Sequence, residues 1–200
     1  MRTKSETRRQ AILETAAETF HERGFEATTM SEVASRLGGS KATLYSYFDS
    51  KEVLFVTVML EKAKAHVSPV IEAFSGSPDI EKAVRRFALE YLSLILEPEI
   101  LATKRMCLAQ ADRYGFGQRI YEEAIKPAWT AIAARLEAAM NAGQLYRSDP
   151  WTAAMHLQGL CEAGLVHLCL NGCRAPPTRS EITQTARAGA DAFLRAYRPE

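Results

Sequence analysis

Strand signals are nearly absent from this 200-residue chain, and almost every periodic segment repeats its apolar residues at helical spacing. An all-α fold is expected. Repeats, low-complexity tracts and coiled-coil bias are also lacking, which leaves an ordinary globular composition of 47% hydrophobic and 24% charged residues. The most apolar stretch, AAMHLQGLCEAGLVHLCLNG, is interrupted by Gln158, Glu162 and His167. It falls short of the ~18 uncharged apolar residues that a membrane span requires. No apolar run follows the charged N-terminus to act as a secretory signal, and no CxxC pair joins Cys107, Cys161, Cys169 or Cys173. A soluble cytoplasmic chain with reduced thiols is expected.

Catalytic patterns are missing too. There is no Ser/His/Asp set, phosphate loop, HExxH or paired-carboxylate motif, and His21, His66, His156 and His167 are scattered. His167 points about 200° away from Cys169 on a helix, so the cysteines read as buried structural thiols rather than metal ligands. No enzyme activity, cofactor or metal is expected. The net charge of +1 excludes a wholesale polycation. Positive charge is local instead: Arg2, Lys4, Arg8 and Arg9 outweigh Glu6 in the first ten residues.

What the chain does have is punctuation. The first helix is predicted from about Thr7 to Arg23, stopped by Gly24, with Phe25 folding back on its apolar stripe. Thr29 and Glu32 have capping-box spacing ahead of Met30, Val33, Ala34 and Leu37. Gly38 and Gly39 end that helix, Ser40 caps a short third one through Phe48, and Asp49 or Ser50 starts a fourth. The stretch SPVIEAFSGSPD beyond His66 reads as the end of an N-terminal unit. Ser77-Pro78 opens the next helix, ending near Glu97-Pro98, and another covers Ile100 to Arg113. Arg119 to Ala142 follows, interrupted by Pro127. Asp149-Pro150 starts a helix reaching Leu170, and Thr178 with Glu181 caps the last. The total is about nine helices. The domains are placed at 1–50 and 67–200, with a linking helix over 51–66.

The stretch TTMSEVASRLGGSKATLYSYFDSKEVL, Thr28 to Leu54, joins two short helices through a glycine turn, the geometry of a helix-turn-helix. In the second, Leu44 and Phe48 form one inward stripe at i, i+4. Lys41, Thr43, Tyr45, Ser46 and Tyr47 are left for the remaining surface. Hydroxyls and a lysine suit phosphate oxygens and base edges, helix N-termini favour anions, and a major groove admits such a helix.

The stretch GFEATTMSEVASRLGGSKATLYSYFDSKEVL resembles the N-terminal domain of the TetR family of transcriptional regulators. It shows the Gly-aromatic pair, the Thr-Thr cap, a T-L-Y-x-[HY]-F helix and the K-E start of helix four. FGQRIYEEAIKP and AGQLYRSDPWTAA resemble one class of the family's C-terminal domains. The resemblance implies phosphate contacts at Thr29, Tyr45, Tyr47 and Lys51, and base reading near Lys41, Ala42 and Thr43 beside the Ser40 cap. Gly39 stands where valine is usual, and Ala42 where glycine is common. A double-stranded DNA operator of palindromic form, a homodimer and release by a small, largely apolar effector that moves helix four are implied. Together these describe a one-component repressor. The alternative is a DNA-binding regulator controlled by a protein partner.

For the dimer, the last two long helices carry Leu157, Leu160, Gly164 and Leu168, and Ala186, Gly189, Ala190 and Phe193; a two-fold four-helix interface is expected from them. For the effector, Tyr91, Met106, Gln110, Tyr114 and Trp129 lie around the proline-interrupted helix, mixing apolar walls with polar tips.

Overall fold

The computed structural model describes residues 4–113 and 115–199, apart from the side chain of Lys4, and these residues form helices and no strand. Tyr114 and Arg2 lie outside the described residues.

Helix α1 (Lys4–Ala27) turns Ile12, Leu13, Ala16 and Phe20 inward and breaks at Gly24. The φ of 77° there is one that a side chain would strain. Helix α2 (Met30–Arg36) starts at Thr29, whose hydroxyl accepts the Glu32 amide at 3.2 Å. Glu32 does not complete the predicted capping box. Its carboxylate goes to Arg23 (2.7 Å) and Arg36 (3.4 Å), since charge-assisted bonds outcompete a neutral amide. Helix α3 (Lys41–Tyr45) is shorter than the pattern predicts, because the Ser46 hydroxyl turns back on the Thr43 carbonyl at 2.6 Å and closes it.

Helix α4 (Lys51–Ser75), capped by Ser50, runs through Pro69 and beyond the expected end of the linking helix at residue 66. An interior proline costs about 3 kcal/mol. Phe74, fully buried, with Val70 and Ile71 packed on the core beside it, offsets that at about 1.5–3 kcal/mol per buried side chain. Helix α5 (Ile80–Ile95) is capped by Asp79 rather than Ser77. The Asp79 carboxylate accepts the Lys82 amide at 3.1 Å, which holds its pKa below the ordinary value. A carboxylate also suits the positive end of the helix better than a hydroxyl does.

Helix α6 (Pro98–Ala109) leads to α7 (Phe116–Ile120), a π turn (Tyr121–Ile125) and α8 (Lys126–Asn141). The widened turn sits just ahead of Pro127, which has no N–H to give the Glu123 carbonyl. Helix α9 (Pro150–Glu162) stops short of the predicted Leu170. Ala163 leaves the helix and Gly164 takes φ 83°, so that α10 (Leu165–Leu170) is a separate piece. Helix α11 (Arg179–Ala196) carries both halves of the Thr178/Glu181 capping box, at 2.8 and 3.3 Å.

The chain divides into two compact units. One comprises the described residues of Met1–Lys64 and Arg105–Glu123, the other those of Ala65–Lys104 and Ala124–Glu200. In the first, Phe116 joins Phe20, Phe25 and Phe55 in an aromatic cluster with neighbouring centroids 4.9–6.2 Å apart. In the second, α11 packs against α5 and α9, and α8 against α9. No described helix is long and apolar enough to cross a membrane.

Candidate nucleic-acid interface

The turn that carries the helix-turn-helix is built from side-chain hydroxyls and one positive-φ glycine. Thr28 is buried and its hydroxyl donates to the Gly24 carbonyl at 2.8 Å, tying α2 to the broken end of α1. Gly38, at φ 66°, makes the reversal, and the Gly39 amide then closes on Ala34 at 3.0 Å. Ser40 caps α3 by accepting the Thr43 amide at 3.0 Å, and the two hydroxyls meet at 2.8 Å.

With that register fixed, Leu44 and Phe48 sink into the core at 0% and 3% exposure. Lys41, Ala42, Tyr45 and Ser46 are exposed, as are Thr29 and Ser40, while Thr43 and Tyr47 are half-buried. Thr43 is thus an outer residue whose hydroxyl is already engaged with Ser40, and Lys41 lies 5.8 Å from the Tyr45 ring centre.

Lys51 is placed differently from an outward-facing cation. It is half-buried, donates to the carbonyls of Phe25 (2.9 Å) and Glu26 (3.4 Å), and stands 4.3 Å over the Phe25 ring. Its ammonium therefore clamps the end of α1 to the start of α4. Nearby arginines are also engaged. Arg9 pairs with Glu61 at 3.0 Å, and Arg36 pairs with Glu22 at 2.7 Å, which raises its pKa.

A profile described as "Bacterial regulatory proteins, tetR family" matches residues 12–58, and one described as "AefR-like transcriptional repressor, C-terminal domain" matches residues 82–199. The chain belongs to the TetR family. It is similar to the HTH-type transcriptional activator FasR of Mycolicibacterium smegmatis, 37% identical over 78 residues, or 39% of this chain and 36% of that protein. It is also similar to the transcriptional regulator RutR of Escherichia coli, 33% identical over 90 residues, 45% of this chain and 40% of that one. The match thus spans well under two thirds of these curated relatives. Among solved structures, a Mesorhizobium loti protein assigned to the TetR family superposes with TM-score 0.91 at 26% identity, covering 98% of this chain and 100% of that one. The flavonoid-responsive regulator FrrA superposes with TM-score 0.77 at 29% identity, covering 98% and 99%. The chain thus carries the features of a TetR-type DNA-binding transcriptional regulator.

Tyr91, Trp129 and the residues predicted for the dimer fall in the second unit, apart from Met106 and Gln110. Tyr91 and Trp129 come together edge to face at 5.4 Å, with Phe87 stacked on Tyr91 at 5.3 Å. The Tyr91 hydroxyl donates to Glu162, which also accepts Gln158 at 3.1 Å. Burial first, and Glu162 second, push the Tyr91 pKa well up. Trp129 is 6% exposed and part of the core. Met106 and Gln110 belong to the first unit, where Gln110 is buried and its carbonyl oxygen has no hydrogen-bond partner among the described residues. Sequence reasoning missed Glu162, whose only signal is a carboxylate inside an apolar stretch.

Most of the residues predicted for the dimer turn inward. Leu157, Ala186, Gly189, Ala190 and Phe193 are buried inside their own chain. The small residues let α11 approach α9 of the same molecule: a Cβ on Gly189 would stand 2.7 Å from the Leu160 carbonyl oxygen. Leu160 is half-buried, and only Gly164 and Leu168 of the predicted set are exposed. Cys161 and Cys169 are buried, and burial pushes the Cys161 thiol up to about 12.

Proposed function

We propose that this TetR-family protein is a ligand-responsive repressor that binds a palindromic operator as a homodimer. A small, largely apolar effector releases it. One surface supports the DNA-binding part above all: Leu44 and Phe48 anchor α3 inward while Lys41, Ala42, Tyr45 and Ser46 stand in solvent. Lys41, Ala42 and Thr43 read bases in the major groove; Thr29, Ser40, Tyr45 and Tyr47 meet phosphates; Lys51 holds the frame on which they sit. Two copies place two such helices on half-sites about 34–36 Å apart or further.

The dimer forms through the outer face of the same C-terminal helices. Thr152, His156, Gly159 and Ala163 follow one another at i, i+4, i+7 and i+11 and are exposed, and Gly164 and Leu168 continue the patch. Gly159 has no atom within 4 Å of a built Cβ, an open site where a second helix fits. The effector occupies the second unit beside Tyr91 and Trp129, with Glu162 and Gln158 as polar tips. FrrA is flavonoid-responsive, and a flavonoid panel is the first to try. Release needs an effector that binds one dimer state more tightly than the other.

A second reading, control by a protein partner, is favoured by the close packing of Trp129 against Phe87 and Tyr91. Footprinting on the DNA flanking its own gene tests the main proposal. A protected palindrome is expected, and Thr43→Ala should relax specificity at one base pair by about 1–3 kcal/mol. Flavonoids should then raise the thermal midpoint and weaken operator binding. Indifference to every duplex at low salt would end the proposal, while silence toward ligands with intact DNA binding would favour the second reading.

A further inference from the structure

We propose that Arg8 is a DNA-phosphate contact, held in place because residue 39 is glycine. The proposal rests on the reading that this unit binds duplex DNA, and adds a residue and a device to it. In the turn between α2 and α3, Gly38 supplies the left-handed backbone, whereas Gly39 is not at positive φ. Nothing in its backbone conformation calls for glycine. What the missing side chain provides is room: a Cβ on Gly39 would lie 2.6 Å from Nη2 of Arg8, so the guanidinium occupies the space a side chain would fill. Valine, which the resemblance expects at this position, would exclude it.

The charge on Arg8 is also unlike its neighbours'. Arg9 is paired with Glu61, Arg23 with Glu32, and Arg36 with Glu22 and Glu32, while Lys51 is turned onto two carbonyls. No carboxylate pairs with Arg8 among the described residues, and its side chain is half-buried. A guanidinium held partly out of water without a counter-ion is costly unless something supplies one. It reaches from α1 to Gly39, which stands two residues ahead of exposed Lys41, and its planar fork suits phosphate oxygens. The partner is therefore the sugar-phosphate backbone flanking the groove that α3 enters, and the contact carries no sequence preference.

Four proteins test this on a random-sequence duplex over a salt series read by anisotropy: wild type, Arg8→Ala, Gly39→Val and the double variant. Arg8→Ala should weaken binding about eightfold per bound protomer at ~0.1 M salt and reduce the salt slope by about 0.9 per protomer. Gly39→Val should do the same, since its Cβ meets only the far end of a flexible side chain and the fold is kept. The double variant should be no worse than Arg8→Ala alone. Unchanged binding in Arg8→Ala, a silent Gly39→Val, or additive losses in the double variant would each overturn the proposal. A wild type that binds no duplex would instead overturn the DNA-binding reading beneath it.

Discussion

Replacing Gly189 by alanine sets two effects of opposite sign against each other. In a helix interior the added methyl is favourable by about 0.5–1 kcal/mol, because glycine loses more backbone freedom on folding. At Gly189, however, the new Cβ would meet backbone: 2.7 Å to the Leu160 oxygen, 3.0 Å to its carbonyl carbon and 3.2 Å to the Cys161 Cα. Comfortable carbon contacts lie near ~3.5 Å or beyond, so α9 must retreat by about 0.8 Å. Backbone within a helix gives way less easily than a side-chain tip. Retreat also loosens the seam where Leu157, Ala186, Ala190 and Phe193 are buried. Overpacking of this kind costs about 1–3 kcal/mol, leaving a net loss of about 1 kcal/mol after the propensity gain. For a chain of this size that is a fall of about 2–4 °C in the thermal midpoint.

Gly159→Ala on α9 is the control: within its own protomer nothing lies within 4 Å of its Cβ, so at a dilution where the protein is monomeric the midpoint should rise by about 2 °C. Circular dichroism melts at one fixed protein concentration read both, since dimerisation ties the midpoint to concentration. If Gly189→Ala stabilises as Gly159→Ala does, the close crossing of α9 and α11 is wrong. Ala186, Gly189 and Ala190 would then return to the partner interface.

Leu44→Ala should destabilise the first unit by about 2–5 kcal/mol and abolish DNA binding, because Leu44 is fully buried; Tyr45→Ala should leave the denaturant midpoint nearly unchanged. Lys51→Met should cost about 1–3 kcal/mol through the lost carbonyl bonds and ring contact. An unmoved midpoint together with a lower salt slope would show that its ammonium is free. Glu181 is held at about 2, first by the Thr178 amide and then by the Arg174 guanidinium. Its stabilisation is present above the ordinary value of 4.5 and is lost as pH falls from there toward about 2. The gap in thermal midpoint between wild type and Glu181→Gln should therefore close across that window; a gap constant with pH would refute the cause.

Helix starts were legible because caps are local. Thr29, Ser40, Asp149 and Thr178 each bond an amide three residues on, and residue type at that spacing is visible in the chain. The inward pair Leu44 and Phe48 was legible from periodicity alone. What escaped depends on distant partners. The passage of α4 through Pro69 is settled by what Val70, Ile71 and Phe74 pack against, not by the proline. Phe116 joins the N-terminal aromatic cluster from far along the chain beyond Phe25, and no period announces that. The small residues of α11 say that a helix comes close, but not whose helix. Lys51 and Arg8 are both cations in the sequence; only the carbonyls around one and the empty space beside the other give them different work.

That sorting of cations bears on how a chain of net charge +1 holds a polyanion. Arg9, Arg23 and Arg36 are neutralised by carboxylates within their own unit, so they add little long-range attraction. Arg8 and Lys41, which flank the turn, have no carboxylate partner among the described residues. Arg8 as one cationic phosphate contact per protomer corresponds to a salt slope of about −0.9 and a counterion-release gain of roughly 8-fold at ~0.1 M salt. Two protomers on one duplex double the exponent, to about −1.8 and roughly 60-fold. A single copy would be held too weakly for its hydroxyls to discriminate bases. On the proposed reading, a pair is held firmly enough for Thr43 and its neighbours to decide where on the DNA it rests.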